Sequence, residues 1–134
     1  MSLSVIDASA IVAFLAFDDP RGRHVGVRLR KGDAFYAPTI LDYEVLGALR
    51  GLARKDERLD DSYVEECIRD LELMPVRRED IAPLRRRIWG LRHNLTVYDA
   101  AYVALAERLN ATLVTCDEKF ARSTGVGCQI ETII

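Results

Sequence analysis

Short β-branched or apolar runs alternate along this chain with longer stretches in which apolar residues recur at helical spacing. The short runs predict strands at 3–6, 34–37, 73–76 and 112–115, with a weaker one at 129–134. The longer stretches predict helices at 8–16, 24–30, 39–55, 80–91 and 96–109, a turn at 18–22, and a helix capped by Asp60 or Asp61 that runs to residue 71. Such alternation is typical of βαβ units and a parallel sheet. We expect one α/β domain over residues 1–134.

The composition is that of a globular protein: of 134 residues, 49% are hydrophobic and 30% charged, which excludes disordered and fibrous classes. No apolar run reaches the roughly 18 residues that a transmembrane helix needs, and no basic segment precedes the first strand, so we expect a cytoplasmic protein without a signal peptide or membrane association. The three cysteines form no CxxC pair, which predicts reduced thiols and no structural zinc. A net charge of −2 leaves nucleic-acid binding open.

Two aspartates stand directly after predicted strands. Asp7 follows the strand at 3–6, and Asp117 comes after the strand at 112–115. In doubly wound sheets, sites form beyond the carboxyl ends of the strands, at the point where the strand order reverses. Either residue could instead simply cap a following helix, since aspartate is a common N-cap.

Two further acids, Glu44 and Asp99, lie in predicted helices without a basic residue within helical reach. The residues three and four positions from Glu44 are Ile40, Leu41, Gly47 and Ala48. Those around Asp99 are Leu95, Thr96, Tyr102 and Val103. Asp99 could complete a capping box with Thr96. Because an unpaired carboxylate on an inward-facing side is costly, both acids otherwise predict a nearby cation or a shared proton.

Four carboxylates gathered at one edge of a sheet would repel one another. Two charges about 4 Å apart interact by about 4 kcal/mol at an effective dielectric of about 20. A divalent cation removes that repulsion, and all-oxygen ligands favour Mg²⁺ or Mn²⁺ over zinc. The chemistry that fits is phosphodiester hydrolysis. We therefore predict one set of catalytic, metal-binding acids: Asp7, Glu44, Asp99 and Asp117.

Four segments in this order carry a resemblance to a known family. They are V-I-D-A-S-A-I-V-A-F-L at 5–15, Y-E-V-L-G-A-L-R at 43–50, L-T-V-Y-D-A-A-Y-V-A-L-A-E at 95–107 and L-V-T-C-D-E-K-F at 113–120. Together they resemble the PIN domain, and most of all the VapC toxins of toxin–antitoxin pairs. The resemblance spans nearly the whole chain.

The resemblance implies a three-layer α/β/α fold around a central parallel sheet of four to five strands. It implies an endoribonuclease dependent on Mg²⁺, with Mn²⁺ possible, whose metal-binding acids match Asp7, Glu44, Asp99 and Asp117. Ser9 and Thr115 match the small hydroxyl positions that help to hold metal, water or phosphate, with plain turn and strand-end roles as the alternative. Gly47 departs from the pattern, because many relatives carry asparagine there.

The resemblance also implies partners: an RNA substrate, a small VapB-like antitoxin and a second copy in a homodimer. Basic residues that could contact RNA phosphates are Arg85, Arg86, Arg87 and Arg92, although solvated helix faces explain arginines equally well. Large apolar residues are more often core than partner contacts, and this applies to Phe14, Phe17, Tyr43, Tyr63 and Trp89. Trp89 is nevertheless a candidate exposed anchor on the arginine-rich helix.

Other α/β classes fit less well. A response-regulator receiver needs a lysine after its last strand, and none of Lys31, Lys55 and Lys119 stands there. A haloacid-dehalogenase-type phosphatase needs Asp-x-Asp after the first strand, but position 9 is serine. Two alternatives within the resembled family stay open: a PIN nuclease of RNA processing without an antitoxin, and a non-catalytic PIN scaffold that binds metal or RNA.

Overall fold

A five-stranded sheet surrounded by helices makes up the computed structural model, which describes residues 2–16 and 18–134. Its strands are β1 (Leu3–Ile6), β2 (Ala34–Pro38), β3 (Val76–Glu79), β4 (Thr112–Thr115) and β5 (Ile130–Thr132). Within the described residues the α-helices are α1 (Ala8–Ala16), α2 (Pro20–Leu29), α3 (Leu41–Lys55), α4 (Asp61–Leu73), α5 (Arg85–Gly90), α6 (Val97–Leu109) and α7 (Lys119–Arg122). A 3-10 turn, Ala82–Leu84, precedes α5.

All five strands are parallel, in the order β3-β2-β1-β4-β5. The chain moves outward from β1 to β3 and then returns to β4 on the other side of β1. The strand order therefore reverses between β1 and β4, where Ile6 is paired with Val114. The Asp7 amide continues this pairing by donating to the Val114 carbonyl at 3.2 Å. The carboxyl ends of β1 and β4 thus lie side by side.

The helices form two layers because crossovers between parallel strands are right-handed. The connections from β1 to β3 contain α1 to α4, and α1 packs on α2, α3 and α4. Those from β3 to β5 run in the opposite direction and contain α5 to α7, with α6 packed on β1, β2 and β4. The predicted three-layer α/β/α fold with a parallel sheet is confirmed, with five strands.

The core lies between the sheet and the two central helices, α1 and α6. Ile11 and Ala10 of α1 and Val103 of α6 are fully buried, as are Val5 of β1 and Leu113 of β4. Alanines recur along α6, so its backbone can approach the sheet closely. This packing fixes the starts of α1 and α6 relative to the carboxyl edge of the sheet.

The third strand lies later in the chain than predicted. The prediction of 73–76 was wrong, because α4 continues to Leu73 and the strand begins only at Val76. Leu73 is largely exposed, so its apolar character marks no strand. β3 is an edge strand paired with β2 alone, which explains why it contains Arg77, Arg78 and Glu79.

Two helical segments also differ from their predicted bounds. The predicted turn at 18–22 contains the start of α2, since the Asp19 side chain accepts from the Gly22 amide at 2.9 Å and Pro20 opens the helix. The predicted helix at 80–91 is a 3-10 turn with Pro83 inside it, followed by the short α5. The short α7 was not predicted.

The large apolar residues divide between core and surface. Tyr63 is half-buried and its hydroxyl donates to the Ala16 carbonyl, whereas Phe17 lies outside the described residues. Tyr43 and Trp89 are 77% and 62% exposed, so the core prediction was wrong for both, and the exposure expected of an anchor at Trp89 is confirmed. Phe14 lies at the surface as well. None of the helices in the described residues is long and apolar enough to cross a membrane.

Candidate metal centre at the carboxyl edge of the sheet

The four predicted acids line one pocket of about 520 Å³ beyond the carboxyl ends of β1 and β4. Each comes from a different part of the fold. Asp7 links β1 to α1, Glu44 lies in the first turn of α3, Asp99 lies in the first turn of α6, and Asp117 follows β4. The structure therefore brings together residues that are up to 110 positions apart in sequence.

Asp7 is the most buried of these acids, with 5% of its surface exposed. Its Oδ1 accepts from the Ala10 amide at 3.1 Å and from Ser9 Oγ at 2.7 Å. Its Oδ2 accepts from Thr115 Oγ1 at 2.5 Å. The bond to Ala10 is that of an N-cap, so Asp7 both starts α1 and points its carboxylate into the pocket.

The two predicted hydroxyl residues hold this arrangement together. Ser9 Oγ donates to Asp7 and accepts from the Cys116 amide at 3.0 Å. Thr115 Oγ1 donates to Asp7 and accepts from the Asp117 amide at 2.9 Å. Because each hydroxyl has a single proton, which it gives to Asp7, the 3.2 Å contact between the two hydroxyls adds no bond of its own. Ser9 and Thr115 thus tie the loop after β4 to the loop after β1.

Burial dominates the electrostatics of Asp7. Burial, with a smaller contribution from the nearby Asp117, raises the pKa of this carboxyl to about 6 against the opposing effect of the hydroxyl and amide donors. Among the described residues, the three hydrogen-bond donors to Asp7 are all neutral groups. A cation in the pocket would therefore favour the charged form of Asp7.

Glu44 has a partner that its own helix does not supply. The hydroxyl of the buried Tyr102, one turn after Asp99 on α6, donates to Glu44 Oε1 at 2.6 Å. Burial, together with this carboxylate, raises the pKa of Tyr102 far above its ordinary value, so the phenol keeps its proton and remains a donor. The bond orients one oxygen of Glu44 and leaves Oε2 free of hydrogen bonds to the described residues.

Asp99 and Asp117 share a cation from the chain itself. Lys119 Nζ lies 2.8 Å from Asp99 Oδ2 and 3.0 Å from Asp117 Oδ2. Burial lowers the pKa of this ammonium, but the two carboxylates raise it by more, so its pKa lies above the ordinary value. Asp99 has no basic partner within its own helix, as the sequence indicated, and the nearby cation comes from α7.

Carboxylate and hydroxyl oxygens form the donor set of the pocket, which fits a hard divalent cation. In the described part of the chain, no three acid, histidine or cysteine side chains stand close enough together to form a ready-made metal cluster. Tyr102 holds Glu44 in its place, and Lys119 holds Asp99. The oxygen donors that line the pocket thus fit Mg²⁺ or Mn²⁺.

The basic side chains that line the pocket are Arg21, Lys55 and Lys119. None of the four arginines predicted to contact RNA lines it. Arg87 instead forms a bidentate pair with Glu107 near the end of α6, with N–O distances of 2.6 and 2.8 Å, and Arg92 stacks on the Trp89 ring. The sequence did not single out Lys55 or Lys119 as site residues: Lys55 continues the polar face of α3 beside Arg54, and Lys119 is an isolated lysine after Asp117.

An α/β fold of this topology, with acids at its switch point, has counterparts among known proteins. The PIN domain family model matches residues 4–125 of this chain. The chain therefore belongs to the PIN-domain family.

Proteins similar to this chain show which group of PIN domains it resembles. Ribonuclease VapC12 of Mycobacterium tuberculosis is 41% identical over 129 residues, which cover 96% of this chain and 98% of that protein. Ribonuclease VapC9 of the same species is 36% identical over 129 residues, covering 96% and 97%. The solved structure of VapBC2 from Rickettsia felis, bound to a DNA fragment from its promoter, matches with a TM-score of 0.66 at 18% identity, covering 98% of this chain and 99% of that one. Among PIN domains, the chain is thus similar to the VapC group.

Proposed function

We propose that this protein is an endoribonuclease that hydrolyses RNA phosphodiesters with Mg²⁺ or Mn²⁺ held by Asp7, Glu44, Asp99 and Asp117. The observation that carries the proposal is the convergence of these four acids, from four separate elements, on one pocket at the switch point of a parallel sheet. The curated relatives VapC12 and VapC9, both named ribonucleases, support the activity.

Within this proposal the acids have different tasks. Asp7 and Asp117, which follow adjacent strands and are linked through Thr115, would hold the ion from the strand side. Glu44 and Asp99 would complete the site from the helical side, directly or through waters. The ion would supply activation of a water nucleophile and neutralisation of charge on the phosphoryl group. The products are a 5′-phosphate and a 3′-hydroxyl.

The remaining residues of the pocket position the substrate and the acids. Ser9 and Thr115 fix both oxygens of Asp7, so its carboxylate needs no reorganisation. Arg21 and Lys55, at the wall of the pocket, supply positive charge for phosphates that flank the scissile bond.

A metal-dependence assay on total cellular RNA tests the proposal. Asp117→Asn should lower Mg²⁺-dependent cleavage by at least about 100-fold, because it removes one charged ligand. EDTA should abolish cleavage by the unmodified protein. Glu118→Gln is the matched control, since this neighbouring acid is exposed and does not line the pocket. Its cleavage rate should stay within about twofold of the original, as for other surface substitutions.

Cleavage that persists in EDTA would contradict the metal requirement. Equal losses in the Asp117 and Glu118 variants would contradict the specific role of Asp117. Mapping the cut ends checks the direction of attack, since the proposal requires a 5′-phosphate on the downstream fragment.

For partners, we propose a small VapB-like antitoxin and a homodimer. The antitoxin is supported by the similarity to VapC proteins and by the fold shared with VapBC2. A PIN nuclease of RNA processing is the second candidate, supported by the same family match. A short reading frame directly upstream that encodes a small DNA-binding protein would favour the antitoxin, and its absence would favour RNA processing.

A further inference from the structure

Lys119 contacts two of the proposed metal ligands, Asp99 and Asp117, at three points. Its Nζ lies 2.8 Å from Asp99 Oδ2 and 3.0 Å from Asp117 Oδ2, and its backbone amide donates to Asp117 Oδ1 at 3.0 Å. The lysine therefore engages both oxygens of Asp117 and one oxygen of Asp99. It joins the loop after β4 to the first turn of α6.

These contacts place an ammonium where two ligands of a divalent ion converge. Mg²⁺ requires carboxylate oxygens at about 2.1 Å, closer than any of the oxygens that surround Nζ. A carboxylate oxygen has lone pairs for two partners, but an ion bound to these oxygens would lie within a few ångströms of Nζ, and the two positive charges would repel. An ion that takes Asp99 and Asp117 as ligands therefore competes with the ammonium for them.

The lysine has a route out of the pocket. Its side chain is 47% exposed, and α7 is a short helix at the molecular surface. Rotation about the side-chain bonds can carry Nζ into solvent without any change in the backbone. The amide bond to Asp117 Oδ1 belongs to the backbone and stays in place during such a rotation.

The other two basic residues of the pocket behave differently. Arg21 and Lys55 line the same pocket, but within residues 2–16 and 18–134 they form no ion pair with the four acids. Their side-chain nitrogens lie beyond ion-pair distance from these carboxylates, so their charges act on them more weakly than that of Lys119, and salt screens them further. Lys119 alone, among the basic side chains described, is in direct contact with the ligands.

We propose that Lys119 is an internal counter-ion that holds Asp99 and Asp117 together until a divalent ion displaces it, so that this residue sets the metal concentration at which the site fills. The inference rests on the proposed metal site and deepens it. It assigns to Lys119 a positioning role that the four acids alone do not supply.

Calorimetric titration of Mn²⁺ into chelator-treated protein at about 0.15 M salt tests the inference. Lys119→Ala should bind Mn²⁺ about tenfold more tightly, because two partly exposed ion pairs no longer compete with the metal. Lys119→Gln keeps the length and a donor but not the charge, and should bind more tightly as well. Lys119→Arg should restore affinity to within about threefold of the original. Lys55→Ala, the matched control, removes the same charge from the same pocket and should change affinity by less than about twofold.

A second readout separates competition from a merely structural role. With no metal added, Lys119→Ala should unfold at a lower temperature than the unmodified protein, because Asp99 and Asp117 then repel each other. Saturating Mn²⁺ should close that gap. A structural role would leave the gap unchanged by metal.

The possible results separate the inference from the proposed function. If the unmodified protein binds Mn²⁺ but Lys119→Ala binds it equally or more weakly, the counter-ion role is overturned and the metal site stands. If Lys55→Ala tightens binding as much as Lys119→Ala does, net charge explains the effect and the inference also falls. If no variant binds Mn²⁺ at millimolar concentration, the metal site and the inference fall together.

Discussion

Replacement of Asp7 by asparagine is expected to abolish RNA cleavage while making the protein more stable in the absence of metal. Cleavage should fall by at least about 1,000-fold, since the loss of a charged ligand removes several kcal/mol of transition-state stabilisation. Stability should rise because Asp7 is buried and, within the described part of the chain, receives hydrogen bonds from neutral groups alone. A functional acid that lowers stability is the expected behaviour of a preorganised metal ligand.

The stability gain depends on pH in a defined direction. Burial raises the pKa of Asp7 from 3.8 to about 6, so the folded protein binds more protons at this site than the unfolded chain does between these two values. The free energy of unfolding therefore falls as the pH rises from 3.8 to about 6 and then stays low, by up to about 3 kcal/mol. Asparagine does not titrate, so the variant avoids this loss.

Thermal unfolding at several pH values, in the presence of a chelator, measures the effect. At pH 8 the Asp7→Asn protein should be about 1–2 kcal/mol more stable, after allowance for one altered hydrogen bond to Thr115. At pH 4 the two proteins should unfold at similar temperatures. A variant that is less stable at pH 8, or that keeps its cleavage activity, contradicts the account of Asp7.

Replacement of Arg28 by methionine is expected to lower the free energy of unfolding more than the removal of any other single charged side chain that the structure describes. Arg28, on α2, lies 2.8 Å from Asp33 and 2.8 Å from Glu131 of β5, and it donates to Ser4 of β1 at 3.1 Å. The Arg28 side chain is 11% exposed. Removing it leaves Asp33, which is 16% exposed, without its cation, and the expected cost is about 3 kcal/mol.

Chemical denaturation of matched variants measures this loss. Arg23→Met, on the same helix, is the matched control. Among the described residues, Arg23 forms a single ion pair, with Asp18, and this pair is exposed. Its loss should cost less than about 0.5 kcal/mol. Combining Arg28→Met with Asp33→Asn should cost less than the sum of the two changes, because the pair is coupled. Additive effects, or equal losses for Arg28 and Arg23, would show that the network does not hold α2 to the sheet. Arg28 lies at the opposite end of the sheet from the acids, so its variant should keep metal binding while folded.

The sequence predicted the central part of this fold because the signals there are local. β1, α1 and β4 have their predicted bounds, and Thr96 caps α6 as expected. β-branched runs and helical periodicity suffice for such elements. The edge strand β3 carries three charged residues because one of its sides has no neighbouring strand, so its pattern resembles that of a loop. Its predicted position was wrong for this reason.

In the candidate site, too, local features could be predicted from the sequence and contacts between distant elements could not. Asp7 and Asp117 could be placed together from the strand order alone, since both follow strands that turned out to be adjacent. The partners of Glu44 and Asp99 could not, because Tyr102 and Lys119 are distant from them in sequence or lie on another element. Helical spacing shows that an acid has no partner on its own helix, but it cannot show a partner that another element supplies across the pocket. The role of all four acids as metal ligands stays a prediction.

An anomalous-difference map from crystals soaked in Mn²⁺ tests whether the four acids form a metal centre. We expect a single dominant peak in the pocket, within about 2.0–2.3 Å of carboxylate oxygens of Asp7 and Asp117, with Lys119 Nζ turned away from Asp99. Identical soaks of Asp7→Asn crystals should lose the peak. A Mn²⁺ peak outside this pocket, or none at millimolar Mn²⁺, would contradict the assignment of the four acids as a metal centre.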